Sequence, residues 1–170
     1  MDLTVLNKCF LMTASIARAS NDSDSLSMLG VSNQMADLFV SADAASLSRL
    51  VHTNFCLFRP KRITLNPELG VVGRQMAKEN IRNLVVSYLL SWREIASESP
   101  QQARLVFGLQ EREAKILEGA TAIQLSQLNS ESCISFVPRF STADVEEQMA
   151  ASHADYDIPA ARWSTLLAAS

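Results

Sequence analysis

Basic side chains are concentrated in one short part of the chain, between residues 59 and 82. They form two groups, the first being Arg59, Lys61 and Arg62 and the second being Arg74, Lys78 and Arg82. The second group repeats every four residues, so a helix would carry its cations on one face over about 12 Å of rise. Clustered Lys and Arg side chains neutralise nucleic-acid phosphates, so the spacing predicts a DNA-contacting strip. The alternative is a solvated face, since Glu68 and Glu79 lie nearby.

The other reactive residue types form no recognisable catalytic or metal-binding pattern. His52 and His153 are the only histidines, and neither has metal-ligand spacing or an obvious carboxylate partner. The cysteines are Cys9, Cys56 and Cys133, whose wide spacing is typical of neither a disulfide framework nor a zinc site. Each is predicted to be a small buried apolar group, the alternative being a thiol near a subunit interface. No Gly-rich phosphate loop or nucleophile elbow is present, so we expect no enzyme, no cofactor and no metal.

The composition favours a helical protein, either with an exposed apolar patch for a partner or as a well-packed helical domain without one. Its 170 residues are 48% hydrophobic and 19% charged, with only five Gly and five Pro, and this balance leaves room for an exposed apolar patch. A formal charge of −3 argues against coating nucleic acid by bulk electrostatics but leaves a local basic patch open. No run approaches the roughly 18 apolar residues of a membrane span. We therefore expect a cytoplasmic protein that binds neither a membrane nor a small-molecule substrate.

The chain contains two similar segments. Residues 11–60 align with residues 89–138 at a displacement of 108 − 30 = 78 residues, which places Gly30 on Gly108. The same alignment pairs Ala36 with Ala114, Leu50 with Leu128, Phe58 with Phe136 and Pro60 with Pro138. Self-similarity at a fixed displacement is the signature of repeated structural units. The alignment therefore predicts two copies of one unit that pack against each other.

Apolar spacing and capping residues predict helices in both copies. The predicted helices include residues 3–19, 33–40, 43–51, 74–97, 111–118 and 121–128. Gly30 and Gly108 are predicted helix stops. The predicted caps are Ser32, Asp43, the capping box of Thr121 with Gln124, and Ser141 with Asp144.

The predicted fold class is all-α, with two tandem helical repeats packed as an intramolecular pseudo-two-fold dimer. Repeat 1 is predicted at residues 1–60, a linker at 61–73, repeat 2 at 74–140 and a helical tail at 141–170. Pro60 is predicted to end the first repeat and Pro138 the second. Residues 55–58 and 132–136 are compatible with extended structure.

The first copy resembles the FlhD family of flagellar transcriptional regulators. The matching residues are Leu29, Gly30, Val31, Met35, Ala36, Leu47, Leu50, Thr53, Asn54, Cys56, Phe58 and Arg59. The second copy resembles the family more distantly, through Phe107, Gly108, Leu109, Ala114, Leu125, Leu128, Cys133 and Phe136. It has Glu131-Ser132 where the family has Thr-Asn, and Val137 where the family has Arg.

The resemblance implies a function in transcription. FlhD chains carry one copy, form an interlocked helical homodimer and pair with a zinc-containing partner, FlhC, that has four clustered cysteines. This chain lacks that cluster, so it resembles the FlhD-type subunit of an FlhDC-like activator that binds promoter DNA with an FlhC-like partner and recruits RNA polymerase. One alternative is an adaptor or anti-activator that keeps the FlhD shape without contacting DNA. Another is a helical secretion chaperone, which would leave the repeat unexplained.

Overall fold

The computed structural model describes residues 3–63, 78–126, 128 and 134–150. In chain order the elements are α1 (Leu3–Ala19), α2 (Ser23–Leu29), α3 (Asn33–Ser41), α4 (Ala44–Val51), β1 (Phe58–Ile63), α5 (Glu79–Glu98), α6 (Pro100–Phe107), α7 (Glu111–Gly119), α8 (Ala122–Ser126), β2 (Ile134–Pro138) and α9 (Thr142–Ala150). The helices bury the apolar faces that the sequence predicts. In α1, for example, the buried residues Leu3, Leu6 and Phe10 recur at three- and four-residue spacing.

The predicted caps of the first half are confirmed. Ser32 Oγ accepts a hydrogen bond from Met35 N at 3.1 Å, and Asp43 Oδ1 accepts one from Ser46 N at 2.7 Å. Each bond satisfies an N–H group that the first turn of a helix leaves unpaired. Side-chain chemistry therefore fixes where α3 and α4 begin.

The second half begins α8 and α9 with reciprocal caps, which confirms both predictions there. Thr121 N donates to Gln124 Oε1 at 2.9 Å, and Gln124 N donates to Thr121 Oγ1 at 3.3 Å. Ser141 N donates to Asp144 Oδ2 at 2.7 Å, and Asp144 N donates to Ser141 Oγ at 3.2 Å. Such a pair satisfies two unpaired donors at once.

The two predicted glycine stops are confirmed, because Gly30 and Gly108 end α2 and α6 in the left-handed conformation, with φ of 64° and 60°. Their surroundings differ. A Cβ atom on Gly30 would lie 2.6 Å from the backbone oxygen of Phe136, whereas one on Gly108 would lie 2.6 Å from the side-chain Nε of Arg139. The first glycine therefore packs directly against the backbone of β2, and the second packs under an arginine.

The structure is mainly helical, as predicted, but the all-α class needs one correction, because β1 and β2 pair as a two-stranded antiparallel sheet. The register places Phe58 opposite Pro138, Pro60 opposite Phe136, and Ile63 opposite Ile134. The first strand continues past Pro60 to Ile63, so Pro60 lies within the sheet. A proline is tolerated there because each strand of a two-stranded ribbon has an unpaired edge, where its missing N–H costs nothing.

Aromatic rings from both halves meet in the core. Phe10 stacks on Phe58 with ring centroids 4.4 Å apart. Phe58 meets Phe136 edge-on at 5.1 Å, and Tyr88 packs on Phe136 at 5.3 Å and on Phe107 at 5.0 Å. All five rings are fully buried, and their tilted and edge-on arrangements are those that aromatic pairs prefer. The sheet therefore holds the centre of one continuous core.

Elements of each half pack against the other half. α2 contacts β2, α7 contacts β1, and α9 lies against α3 and α4. Cys56 N donates to Val106 O at 2.8 Å, and Arg139 N donates to Leu57 O at 2.9 Å. These backbone hydrogen bonds cross between the halves beyond the sheet itself, so the described residues form an interlocked arrangement.

The outward face of α1 exposes apolar residues together with Lys8. Val5, Met12 and Ile16 are each more than half exposed there, and Cys9 between them is half-buried. The outward face of α5 likewise exposes the apolar Val86 and Leu90 beside the charged Arg93 and Glu94. Within the ranges that the structure describes, no helix combines the length and apolarity needed to cross a membrane.

Candidate nucleic-acid interface

Strand β1 carries the first predicted basic group, which we call the basic triad: Arg59, Lys61 and Arg62. Pro60 pairs with Phe136 and Arg62 pairs with Ser135, which leaves Lys61 as the extra residue of a β-bulge. Successive strand residues normally point to opposite faces, and a bulge interrupts that alternation. As a result Lys61 and Arg62 are both exposed, while Arg59 is half-buried. The fold thus presents consecutive cations at the surface of a short ribbon.

The second basic group does not form the predicted helix face. Lys78 precedes α5 with φ −56° and ψ 152°, outside the helical region, and its Nζ lies 2.5 Å from Asp22 Oδ2. Arg82 is half-buried on α5, and its Nε is buried with no hydrogen-bond partner among the described residues. Arg74 lies outside the described residues. The predicted helical periodicity is therefore broken at Lys78, which the ion pair with Asp22 holds against the start of α2.

Asp22 has two functions at that contact. It is the N-cap of α2, where Oδ1 accepts a hydrogen bond from Ser25 N at 3.2 Å. The hydrogen bond with Lys78, followed by that with Ser25, lowers the pKa of Asp22 below its ordinary value. The carboxylate therefore stays charged at neutral pH and holds Lys78 in place.

Arg139 lies where the two halves meet, and sequence reasoning did not single it out. Its Nη1 donates to Val106 O at 3.0 Å and to Cys56 O at 3.3 Å. Its guanidinium also lies 5.5 Å from the ring centroid of Phe55. Burial lowers the pKa of Arg139, yet a guanidinium keeps its proton at any physiological pH. The available signal was its position, because Arg139 aligns with Lys61 at the repeat displacement.

The remaining predicted reactive residues divide between core and surface. Cys56 is fully buried as predicted, and burial raises the pKa of its thiol to about 12. A neutral buried thiol behaves as a small apolar side chain. His52 is exposed after α4, while Cys133 and His153 lie outside the described residues.

A comparison with known proteins assigns this chain to a family. A family model described as flagellar transcriptional activator (FlhD) matches residues 72–170, more than half of the chain. Searches of curated proteins and of solved structures returned no match. The match falls on the second half, although that half carries fewer of the family-like residues than the first, and Leu29 to Arg59 lie outside it. This is a family of transcriptional activators and not of enzymes. The chain belongs to the FlhD family of flagellar transcriptional activators.

Proposed function

We propose that this chain is the FlhD-type subunit of a heteromeric FlhDC-like transcriptional activator. In this proposal it binds promoter DNA together with an FlhC-like zinc-binding partner, and the complex recruits RNA polymerase. Family membership supports the activator function. The observation that supports DNA contact is the bulge in β1, which exposes Lys61 and Arg62 side by side.

We propose further that the chain contains two FlhD-like units that pack as an intramolecular pseudo-two-fold dimer. The strand register supports this, because Phe58 and Pro60 align in sequence with Phe136 and Pro138. Exchanging the halves turns the pair Phe58–Pro138 into the pair Phe136–Pro60, and both pairs occur in the sheet. A two-fold axis through the sheet has this property.

Burial at the same displacement gives further support. Buried residues of the first half align with buried residues of the second in the pairs Leu3/Ile81, Leu6/Leu84, Phe10/Tyr88, Leu29/Phe107, Phe39/Leu117, Leu50/Leu128 and Phe58/Phe136. A chance alignment would place many of these positions at the surface. In this proposal the first unit extends through β1 to Ile63, three residues beyond the boundary predicted from the sequence.

The basic triad supplies affinity and register on the DNA, since Lys and Arg contacts to phosphate carry no base information. The second group, Arg74, Lys78 and Arg82, is a secondary contact in this proposal. Lys78 has to leave Asp22 before it reaches a phosphate. Base specificity then belongs to the partner.

The experiment is a salt titration of promoter binding, with and without the FlhC-like protein. The triad variant Arg59→Ala/Lys61→Ala/Arg62→Ala is compared with a matched control, Arg104→Ala/Arg112→Ala/Lys115→Ala, which removes the same number of cations from the second half. Each phosphate contact contributes about 0.9 to the slope of log affinity against log salt. We expect the triad variant to lose about 2 to 3 from that slope and the control to keep it. An unchanged slope would remove the triad from the DNA interface.

A second candidate function is an adaptor or anti-activator that binds a regulator without contacting DNA. The exposed apolar residues on α1, among which Val5 is 65% exposed, and the net charge of −3 favour it. The two functions separate in the same experiment. Binding to the FlhC-like protein with no DNA retained by the complex would support the adaptor, and no binding to either would remove the activator proposal.

A further inference from the structure

A buried side chain on α1 binds the segment that leads into β1, in addition to the bonds from Val106 and Arg139 of the second half to Cys56 and Leu57. Asn7 on α1 is 0% exposed. Its Nδ2 donates to Thr53 Oγ1 at 3.1 Å and to Phe55 O at 3.1 Å, with Val51 O at 3.4 Å. Its Oδ1 accepts a hydrogen bond from Leu57 N at 3.0 Å. The amide therefore uses its donors and its acceptor on one loop.

These bonds replace the pairing that regular structure would provide. Residues 52–57 lie between α4 and β1 and are neither helix nor strand. Buried backbone groups in such a segment need partners, and Asn7 supplies them at Phe55 and at Leu57. The bond to Leu57 N acts on the residue immediately before Phe58, where the sheet begins.

Holding Leu57 fixes which way β1 faces. Phe58 points into the aromatic core, and the basic triad follows it in the strand. A shift of one residue would exchange the two faces of the strand. It would bring Arg59 toward the core and turn part of the triad away from solvent. The placement of the triad thus depends on the amide beneath the loop.

The second half has no buried amide at the position aligned with Asn7. Asn7 aligns with Val85, which is buried on α5, and a valine side chain has no hydrogen-bonding group. The second half also keeps only one of the three cations, since Val137 aligns with Arg59 and Phe140 with Arg62, while Arg139 aligns with Lys61 and follows the end of β2. The amide and the complete basic triad therefore occur together in the first half, and the second half has neither.

We propose that Asn7 is a positioning residue for DNA contact, which acts by holding the segment from Thr53 to Leu57 so that β1 presents the basic triad. This inference rests on the proposed function. It goes beyond it in assigning the geometry of the triad to a residue about fifty positions away that touches no DNA.

The test compares Asn7→Val, which installs the residue of the second half, with Phe39→Leu, a core substitution on α3 that destabilises the same half away from β1. Binding to a short fluorescein-labelled DNA duplex of mixed sequence is titrated with salt, at temperatures adjusted so that both variants are equally folded. We expect Asn7→Val to lose about 1 to 3 from the salt slope, as the triad variant does, while Phe39→Leu keeps the slope of the unmodified protein. Equal slopes for Asn7→Val and Phe39→Leu would overturn the inference.

A second variant tests the same inference if Asn7→Val does not fold. Thr53→Val preserves the shape of the side chain and removes one acceptor of the Asn7 amide and the bond from Thr53 Oγ1 to Phe55 O, which is 2.8 Å long. We expect a smaller loss of slope and faster hydrogen exchange at the Leu57 amide. Unchanged slope and exchange would overturn the inference. If the triad variant itself keeps the salt slope of the unmodified protein, the triad does not contact DNA, and both the proposed DNA contact and this inference fail. If the triad variant loses slope but the Asn7 and Thr53 variants keep it, the proposed DNA contact stands and only this inference fails.

Discussion

The two halves of the chain, residues 3–63 and 78–150, bury similar side chains at aligned positions. They differ in the polar contacts that they make near their strands. The first half fixes the entry to β1 with the Asn7 amide, and Gly30 packs against the backbone of β2. The second half has Val85 and places Arg139 over Gly108. The two halves therefore have similar cores but different polar contacts. The shared packing sets the fold of each half, and the polar residues distinguish their surfaces.

The largest expected difference between the halves is at the two glycines. Gly30→Ala forces a side chain into a left-handed position and against the Phe136 oxygen, a backbone atom. We expect a loss of about 3 to 5 kcal/mol in the free energy of unfolding. Gly108→Ala meets only the side chain of Arg139, so about 2 kcal/mol is expected. Urea unfolding measures both.

Gly119→Ala is the control for this pair. Gly119 lies in α7 with no atom within 4 Å of an added Cβ, so alanine should stabilise the protein by about 0.5 to 1 kcal/mol. Equal losses at Gly30 and Gly108 would contradict the difference in packing between the halves.

Exchange of the aligned residues Asn7 and Val85 should damage both halves. Asn7→Val leaves Phe55 O and Leu57 N buried without this partner, at a cost of about 2 to 4 kcal/mol. Val85→Asn buries an amide where the second half has an apolar side chain, at a cost of about 2 to 4 kcal/mol. Chemical denaturation of the two single variants checks this. A Val85→Asn variant as stable as the unmodified protein would contradict this difference, because the second half would then accept a buried amide as the first half does.

Restoring symmetry in the aromatic core should have a smaller and favourable effect. Tyr88 aligns with Phe10, and its buried hydroxyl has no hydrogen-bond partner among the described residues. Burial also raises the pKa of Tyr88 well above its ordinary value. We expect Tyr88→Phe to raise the free energy of unfolding by about 1 kcal/mol and Phe10→Tyr to lower it by about 1 to 3 kcal/mol. Thermal melts distinguish the two variants. A marked loss of stability in Tyr88→Phe would contradict the prediction, because it would mean that the hydroxyl makes a hydrogen bond.

The smallest expected effect is at the ion pair of Asp22 and Lys78. Because the pKa of Asp22 is lowered in the folded protein, its stabilisation is complete above the unfolded value of about 3.9 and is lost as pH falls through the folded value. Asn also caps helices well. Asp22→Asn should therefore cost under about 1 kcal/mol at neutral pH and flatten the acid limb of stability below about pH 4. Urea midpoints at decreasing pH measure this, and an acid limb as steep as that of the unmodified protein would contradict it.

Local rules predicted the helices and their caps from the sequence. Ser32, Asp43 and the pair Thr121 and Gln124 cap as predicted because a cap depends on residues within one turn. Gly30 and Gly108 were predictable for the same reason, since a left-handed stop is a property of one residue.

Features that depend on distant residues could not be predicted in this way. The strand of Pro60 forms because residues of the other half lie opposite it, and the proline itself suggested an end. Lys78 leaves the expected helix face because Asp22 attracts it from more than fifty residues away. The function of Asn7 was hidden for a similar reason, because a single Asn in an apolar helix shows no partner until the loop is placed against it.

In the proposed pseudo-dimer, the two halves are fused partners that interlock through the sheet and the aromatic core. The most direct test is to insert a protease site between residues 64 and 77, cleave the folded protein and apply it to size-exclusion chromatography. We expect the two fragments to elute together at the size of the intact chain and to separate only in denaturant. Fragments that separate without denaturant, with the second still folded, would contradict it.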